Sequence, residues 1–106
     1  RFASPVEEAK LKKEMAILEA QPIAQRTPTR VVHRRTDTTR HRLVRRAEVL
    51  STDGTVAELR ITAEAGAYIK ELVHGDQGRT TPSLAGLLGV GCEVLELDVV
   101  DIHDEG

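Results

Sequence analysis

Two residues with complementary chemistry, Tyr68 and Lys70, follow a glycine at the end of an extended run, in the stretch AGAYIKELVHGDQGRTTPS from Ala65 to Ser83. A lysine in such a place can hold a carboxylate ionised and aimed. An opposite charge within about 4–6 Å lowers a carboxylate pKa by roughly 1–3 units. Gly66 lets the backbone leave the extended run through dihedrals that other residues avoid. Beyond it, Tyr68 and Glu71 fall on one side of a helical turn and Lys70 is directed elsewhere. The spacing also fits a plainer reading, with Tyr68 a core aromatic and Lys70 a solvated surface charge.

Other groups offer less. His33, His41, His74, Cys92 and His103 show no C-x-x-C or paired-histidine spacing, so no metal site is expected. His74 could do acid–base work near Tyr68 and Asp76, but a hydrogen-bonded turn histidine satisfies the same pattern. Gly86, Gly89 and Gly91 are too scattered for a nucleotide fingerprint.

The net charge of -2 conceals an asymmetry. Arg26 to Arg46 contains eight arginines and two histidines against one acid, Asp37, whereas Glu93 to Gly106 holds six acids and no lysine or arginine. The basic segment suits a polyanion, because the planar guanidinium can donate two hydrogen bonds to one phosphate. A solvated charged strand or loop is the alternative.

The elements that would carry these residues read as follows. Ser4, Pro5 and Glu7 form a capping-box start for a helix over 4–20, with Leu11, Met15 and Leu18 on one face. Pro28 and the Arg/Thr-rich composition predict an extended or looped basic arm over 25–41 with little to bury. Two strands, 42–50 and 56–63, meet at Asp53-Gly54, a strong hairpin signal. In the second, Ala57, Leu59, Ile61 and Ala63 alternate with Glu58, Arg60 and Thr62. Gly75 and Gly78 bracket a turn, Thr81 and Pro82 open a short helix that Gly89 ends, and a last strand spans 93–101 with Leu95, Leu97 and Val99 on one face. The sum is an α+β fold.

At 106 residues such a chain could be one small domain, burying about two thirds of its unfolded surface. Phe2 and Tyr68 are its only aromatics, so the core must rest on Leu, Val, Ile and Ala. The start at Arg1, with neither methionine nor an apolar signal, suggests a piece of a longer protein. No transmembrane run exists, and a single cysteine fits a reducing cytoplasm, the expected location.

Three blocks occur in a fixed order: QRTPTRVVHRR from Gln25 to Arg35, AGAYIKELVHGDQGRTTPS, and LELDVVDI from Leu95 to Ile102. Together they resemble the C-terminal signature of the archaeal and eukaryotic tRNA pseudouridine synthases that modify uridines 54 and 55 of the TΨC arm. The resemblance spans roughly 25–102. A more distant similarity is to the bacterial synthase of the same arm, whose G-T-Y-I-R segment has arginine where this chain has Lys70.

The resemblance implies that 1–106 is the C-terminal portion of a catalytic domain with a mixed, mostly antiparallel sheet, comprising the helix 4–20, the arm 25–41 and a sheet and helix part 42–102. Such enzymes detach uracil from its ribose and rejoin it through carbon, using an aspartate nucleophile and no cofactor or metal. That aspartate sits in a G-R-E-D-type motif. Asp37, Asp53, Asp76, Asp98 and Asp101 all lie in other contexts, so the nucleophile is expected upstream of Arg1 and the 106 residues alone are expected to be inactive. By the same resemblance Lys70 is the charge partner of that aspartate, while Tyr68 and Leu97 line the pocket, Tyr68 as a support and Leu97 against the flipped uracil. Arg26, Arg30, His33, Arg34 and Arg35, with Arg79 from the far side, would contact the tRNA as phosphate and shape contacts. No membrane or small-molecule cofactor is implied. A non-catalytic RNA-binding module is the second reading, and an unrelated structural domain with a basic face the third.

Overall fold

Leu11, Met15 and Leu18 recur at the spacing of one helix face. In the structure, a computed structural model that describes residues 1–33 and 37–97, all three are buried on helix α1 (Glu8–Ala20). The helix begins later than the capping-box reading at Ser4 to Glu7 expects. Glu7 is the N-cap residue, and its side chain makes no capping bond. The reason is tertiary. Phe2 and Val6 are buried, and the amides of Phe2, Ala3 and Val6 donate to Thr55, Gly91 and Gly54 carbonyls at 2.8 Å each. A backbone committed to those partners cannot also curl into a first helical turn.

The strands pair antiparallel throughout the described residues. β1 (Ile23–Arg26) lies at the centre of a three-stranded sheet between β2 (Thr39–Arg42) and β5 (Thr80–Thr81), with Gln25 opposite Arg40 on one side and Thr80 on the other. β3 (Val44–Thr52) and β4 (Ala57–Ala63) form the expected hairpin, with Val49 opposite Leu59. Its turn is organised by Asp53, whose carboxylate accepts from the Thr55 and Val56 amides and the Thr55 hydroxyl at 2.8–2.9 Å. These bonds, led by the one from the Val56 amide, hold the Asp53 carboxyl below its ordinary pKa. Ala57, Leu59 and Ile61 pack against the core, as their alternation predicts, while Glu58 and Arg60 are exposed.

The core joins α1 to Ile23, Val44, Leu72, Leu84, Leu88, Phe2 and Val6. Two short helices complete the α+β fold: α2 (Ile69–His74) and α3 (Leu84–Leu88). α3 starts two residues later than Thr81 and Pro82 suggest, because the Ser83 hydroxyl is the cap and accepts from the Gly86 amide at 3.1 Å.

Two expectations fail more substantially. The arm over 25–41 is not an unburied loop: Gln25, Thr27 and Pro28 are buried, and its ends are β1 and β2 around a 3-10 turn at Thr29–Val31. The described part of the last expected strand, 93–97, lies in no strand. Cys92 bridges Phe2, the Glu93 amide donates to the Arg1 carbonyl, and pairing stops there, leaving Leu95 and Leu97 exposed. Asp98, Val99 and Asp101 lie outside the described residues.

Candidate active site

The chain leaves β4 through Gly66, whose φ of +90° is the left-handed region that glycine tolerates. The position is also crowded, since a Cβ there would stand 3.1 Å from the Arg42 guanidinium. Arg42 Nε, buried against this turn, has no hydrogen-bond partner among the described residues. Tyr68 then serves as the N-cap residue of α2, with extended backbone and no side-chain capping bond. The helix ends at Gly75, whose φ is +86° and whose amide donates to the Glu71 carbonyl at 2.7 Å.

Beneath this turn lies Gln25, only 3% exposed. Its amide nitrogen donates to the Tyr68 carbonyl at 2.9 Å and to Thr80 Oγ1 at 3.3 Å, and its amide oxygen accepts from the Tyr68 N–H at 2.9 Å. Glu71, one turn further on, is as deeply buried. Arg30 reaches it from the 3-10 turn with two bonds, Nε to Oε2 at 2.8 Å and Nη2 to Oε1 at 3.3 Å, and lies 5.8 Å from the centroid of the Tyr68 ring. That contact is within cation–π range. The hydrogen bond to Glu71 raises the Arg30 pKa above its ordinary value. His74 stands 3.9 Å from the same carboxylate, and its Nδ1 accepts from the Asp76 amide at 3.0 Å.

The arm is stitched to the turn after α2 by charge. Asp37, the one acid in the basic segment, bridges Arg26 at 2.9 Å and Arg79 at 2.7 Å. Arg79 also donates to the Thr27 carbonyl through Nε and Nη2, and the Asp76 carboxylate accepts from the Thr29 amide at 2.8 Å. So Arg26, Arg30 and Arg79, all read from sequence as RNA contacts, spend at least part of their donor capacity inside the fold. Asp76, the aspartate nearest a catalytic-looking turn, caps the 3-10 segment.

Lys70 differs from its neighbours. It is exposed on α2 beside buried Glu71 and makes no ion pair among the described residues. His33 is exposed in the turn that follows the 3-10 segment, and Leu97 is 45% exposed beyond Cys92. Arg34 and Arg35 lie outside the described residues. A cavity of about 350 Å³ is lined by His74, Gln77, Thr80, Pro82, Ser83 and Leu87 among others, and neither Tyr68 nor Lys70 borders it. No group of three or more potential metal ligands occurs among the described residues, and no helix there is long and apolar enough to cross a membrane.

The structure thus brings Tyr68, Arg30, Gln25 and Glu71 together and turns Lys70 outward. Sequence reasoning passes over Gln25, Asp37 and Glu71 as partners. Opposite charges at Arg30 and Glu71 are a possible signal, but 41 residues separate them and only the fold pairs them.

The family model described as "Pus10, C-terminal" matches residues 1–103. The chain belongs to that family. The match takes in α1 as well as the blocks that carry the resemblance in sequence. Among curated relatives, the tRNA pseudouridine synthase Pus10 of Methanopyrus kandleri is 45% identical over 106 residues, covering 100% of this chain and 24% of the relative. That of Methanothrix thermoacetophila is 48% identical over 101 residues, 95% of this chain and 22% of the relative. That of Halorubrum lacusprofundi is 53% identical over 88 residues, 83% of this chain and 21% of the relative. The chain therefore spans about a quarter of the length of these Pus10 relatives. Membership sets aside the reading of an unrelated structural domain.

In this Pus10 C-terminal chain, the Arg30–Glu71 pair should outweigh the surface pair Lys12–Glu8. Arg30 is half exposed, so its loss costs less than the ~3–5 kcal/mol of breaking a fully buried pair. About 1–3 kcal/mol fits a charged hydrogen bond to a buried carboxylate. Arg30→Met should lower stability to chemical denaturation by that amount, and Lys12→Met by no more than ~0.5 kcal/mol. Equal effects would show that Glu71 gains nothing from Arg30.

Proposed function

We propose that this chain is the part of a tRNA pseudouridine synthase that supplies the cation facing the nucleophilic aspartate, together with much of the RNA-binding arm. The observation that carries the reading is Lys70. It stands exposed and without an ion pair among the described residues, in the family's signature turn, while Arg30 is paired with Glu71 and Arg26 and Arg79 with Asp37. The aspartate belongs to a part of the full-length enzyme that this chain does not span. Lys70 lowers the pKa of that carboxylate and keeps it nucleophilic. The substrate is uridine 54 or 55 in the TΨC arm of a cytoplasmic tRNA, converted without a metal or small-molecule cofactor.

A uridine must leave its stack to be reached, at a cost of a few kcal/mol, and phosphate contacts offset that cost without reading sequence. His33, Arg34 and Arg35 are the main contacts in this reading. Arg26, Arg30 and Arg79 contribute through whatever donors their internal partners leave open. Arg40, exposed on edge strand β2 with no ion pair among the described residues, extends the cationic surface. Tyr68 supports the turn, and Leu97 offers apolar surface to the uracil.

Lys70→Ala in the full-length protein should abolish pseudouridine formation on unmodified tRNA while leaving tRNA affinity within a few-fold. Retained turnover would remove Lys70 from the chemistry. The 106 residues expressed alone should convert no uridine, a result that detection of pseudouridine in the treated tRNA would overturn. Replacing Arg34 and Arg35 together should weaken tRNA binding and reduce the slope of log affinity against log salt by about one for each phosphate that is no longer neutralised. A weakened affinity with an unchanged salt slope would point instead to damage in folding.

A further inference from the structure

Gln25 occupies the central strand β1, and its side chain does more than fill space. Its amide oxygen and one amide N–H engage the N–H and C=O of a single residue, Tyr68, at 2.9 Å each. These are the two bonds that a backbone partner exchanges with an opposed residue in an antiparallel ladder. The pairing also fixes the amide orientation, since a flipped amide would set N–H against N–H and O against O. The second amide hydrogen faces Thr80 Oγ1 at 3.3 Å, on the strand opposite Gln25. The Tyr68 carbonyl bound by Gln25 is also the acceptor for the Leu72 amide at 3.0 Å, the first hydrogen bond of α2. Gln25 therefore holds the peptide from which α2 starts, and Lys70 is the second residue of that helix.

We propose that Gln25 is a positioning residue for Lys70, fixing the origin of α2 so that the ammonium group meets the carboxylate it serves. This rests on the reading of Lys70 given above. Only glutamine combines the reach, the acceptor and the donor: asparagine is one methylene short, glutamate lacks the donor, and methionine lacks both.

The test uses the full-length protein, with single-turnover pseudouridine formation on an unmodified tRNA transcript and tRNA affinity measured separately. Gln25→Met should slow the reaction at saturating enzyme by on the order of 100-fold, the scale of a 1 Å misplacement, with affinity changed less than about threefold. Gln25→Asn, which keeps the donor and the acceptor but is one methylene short, should lie between, and it decides the matter in the same way if Gln25→Met fails to fold. The same Gln25→Met change is also made in a Lys70→Arg background. If Gln25 acts through residue 70, the factor by which the rate falls should differ by more than about threefold between the two backgrounds, since independent sites agree more closely than that. An identical factor in both, or a parallel fall in rate and affinity, would assign Gln25 a purely structural role and overturn the proposal. A wild-type rate for Gln25→Met alongside an inactive Lys70→Ala would overturn it while leaving Lys70 in place. A fully active Lys70→Ala would overturn both.

Discussion

Gln25 and Glu71 carry an amide and a carboxylate into the region under α2, and each can stay there only if it is satisfied. An uncompensated buried polar group costs about 1–3 kcal/mol, and more when charged. That is a large part of a total stability on the order of 5–15 kcal/mol. Gln25 meets the demand with Tyr68 and Thr80, and Glu71 meets it with Arg30. Both solutions join residues from the arm at 25–31 to residues from 68–80. The arm lies against α2 because the buried polar groups of one segment are completed by the other.

The same logic reshapes the charge distribution. A run of eight arginines against a single aspartate looks like a surface open to a polyanion. In the fold, that aspartate holds Arg26 of the run and Arg79 from outside it, and Glu71 holds Arg30. Pairing of this kind is weak in energy where it is exposed, but it fixes where the remaining cations stand. Arg79, only 21% exposed and bonded to both Asp37 and the Thr27 carbonyl, fastens the loop after α2 to the arm. An arginine count therefore overstates the charge available to a polyanion, because guanidinium groups are equally suited to closing a fold on carbonyls and carboxylates.

What is legible in the sequence follows from the range of the interactions. The face of α1, the Asp53 hairpin turn, the Gly66 exit and the Gly89 stop depend on residues a few positions apart, and periodicity or turn chemistry reads them directly. The start of α1 escapes that reading because Phe2 and Val6 are drawn into the core, which outweighs the local cap at Ser4. The arm escapes it for a similar reason: its polar composition gives no hint that Gln25 is buried until Tyr68 and Thr80 are brought to it across 43 and 55 residues. For the site, the exposure of Lys70 beside a buried Glu71 follows from their helical positions. The identity of the Glu71 partner does not.

α2 has six residues, far fewer than the ~12–15 that an isolated helix needs to be even marginal in water. It persists because it is fixed at several points from outside. Gln25 holds its first carbonyl, Leu72 and Glu71 bury its inner face, and Gly75 closes its last turn through a conformation that a side chain would resist. Any Cβ at Gly75 would also come within 2.7 Å of the Ser83 hydroxyl, the cap of α3, so the end of one short helix is keyed to the start of the next. A lysine side chain has a long flexible stem, and its reach is useful only if the backbone beneath it does not move. A helix too short to hold itself, but held from both ends by buried hydrogen bonds, gives Lys70 a fixed base while leaving its ammonium group exposed.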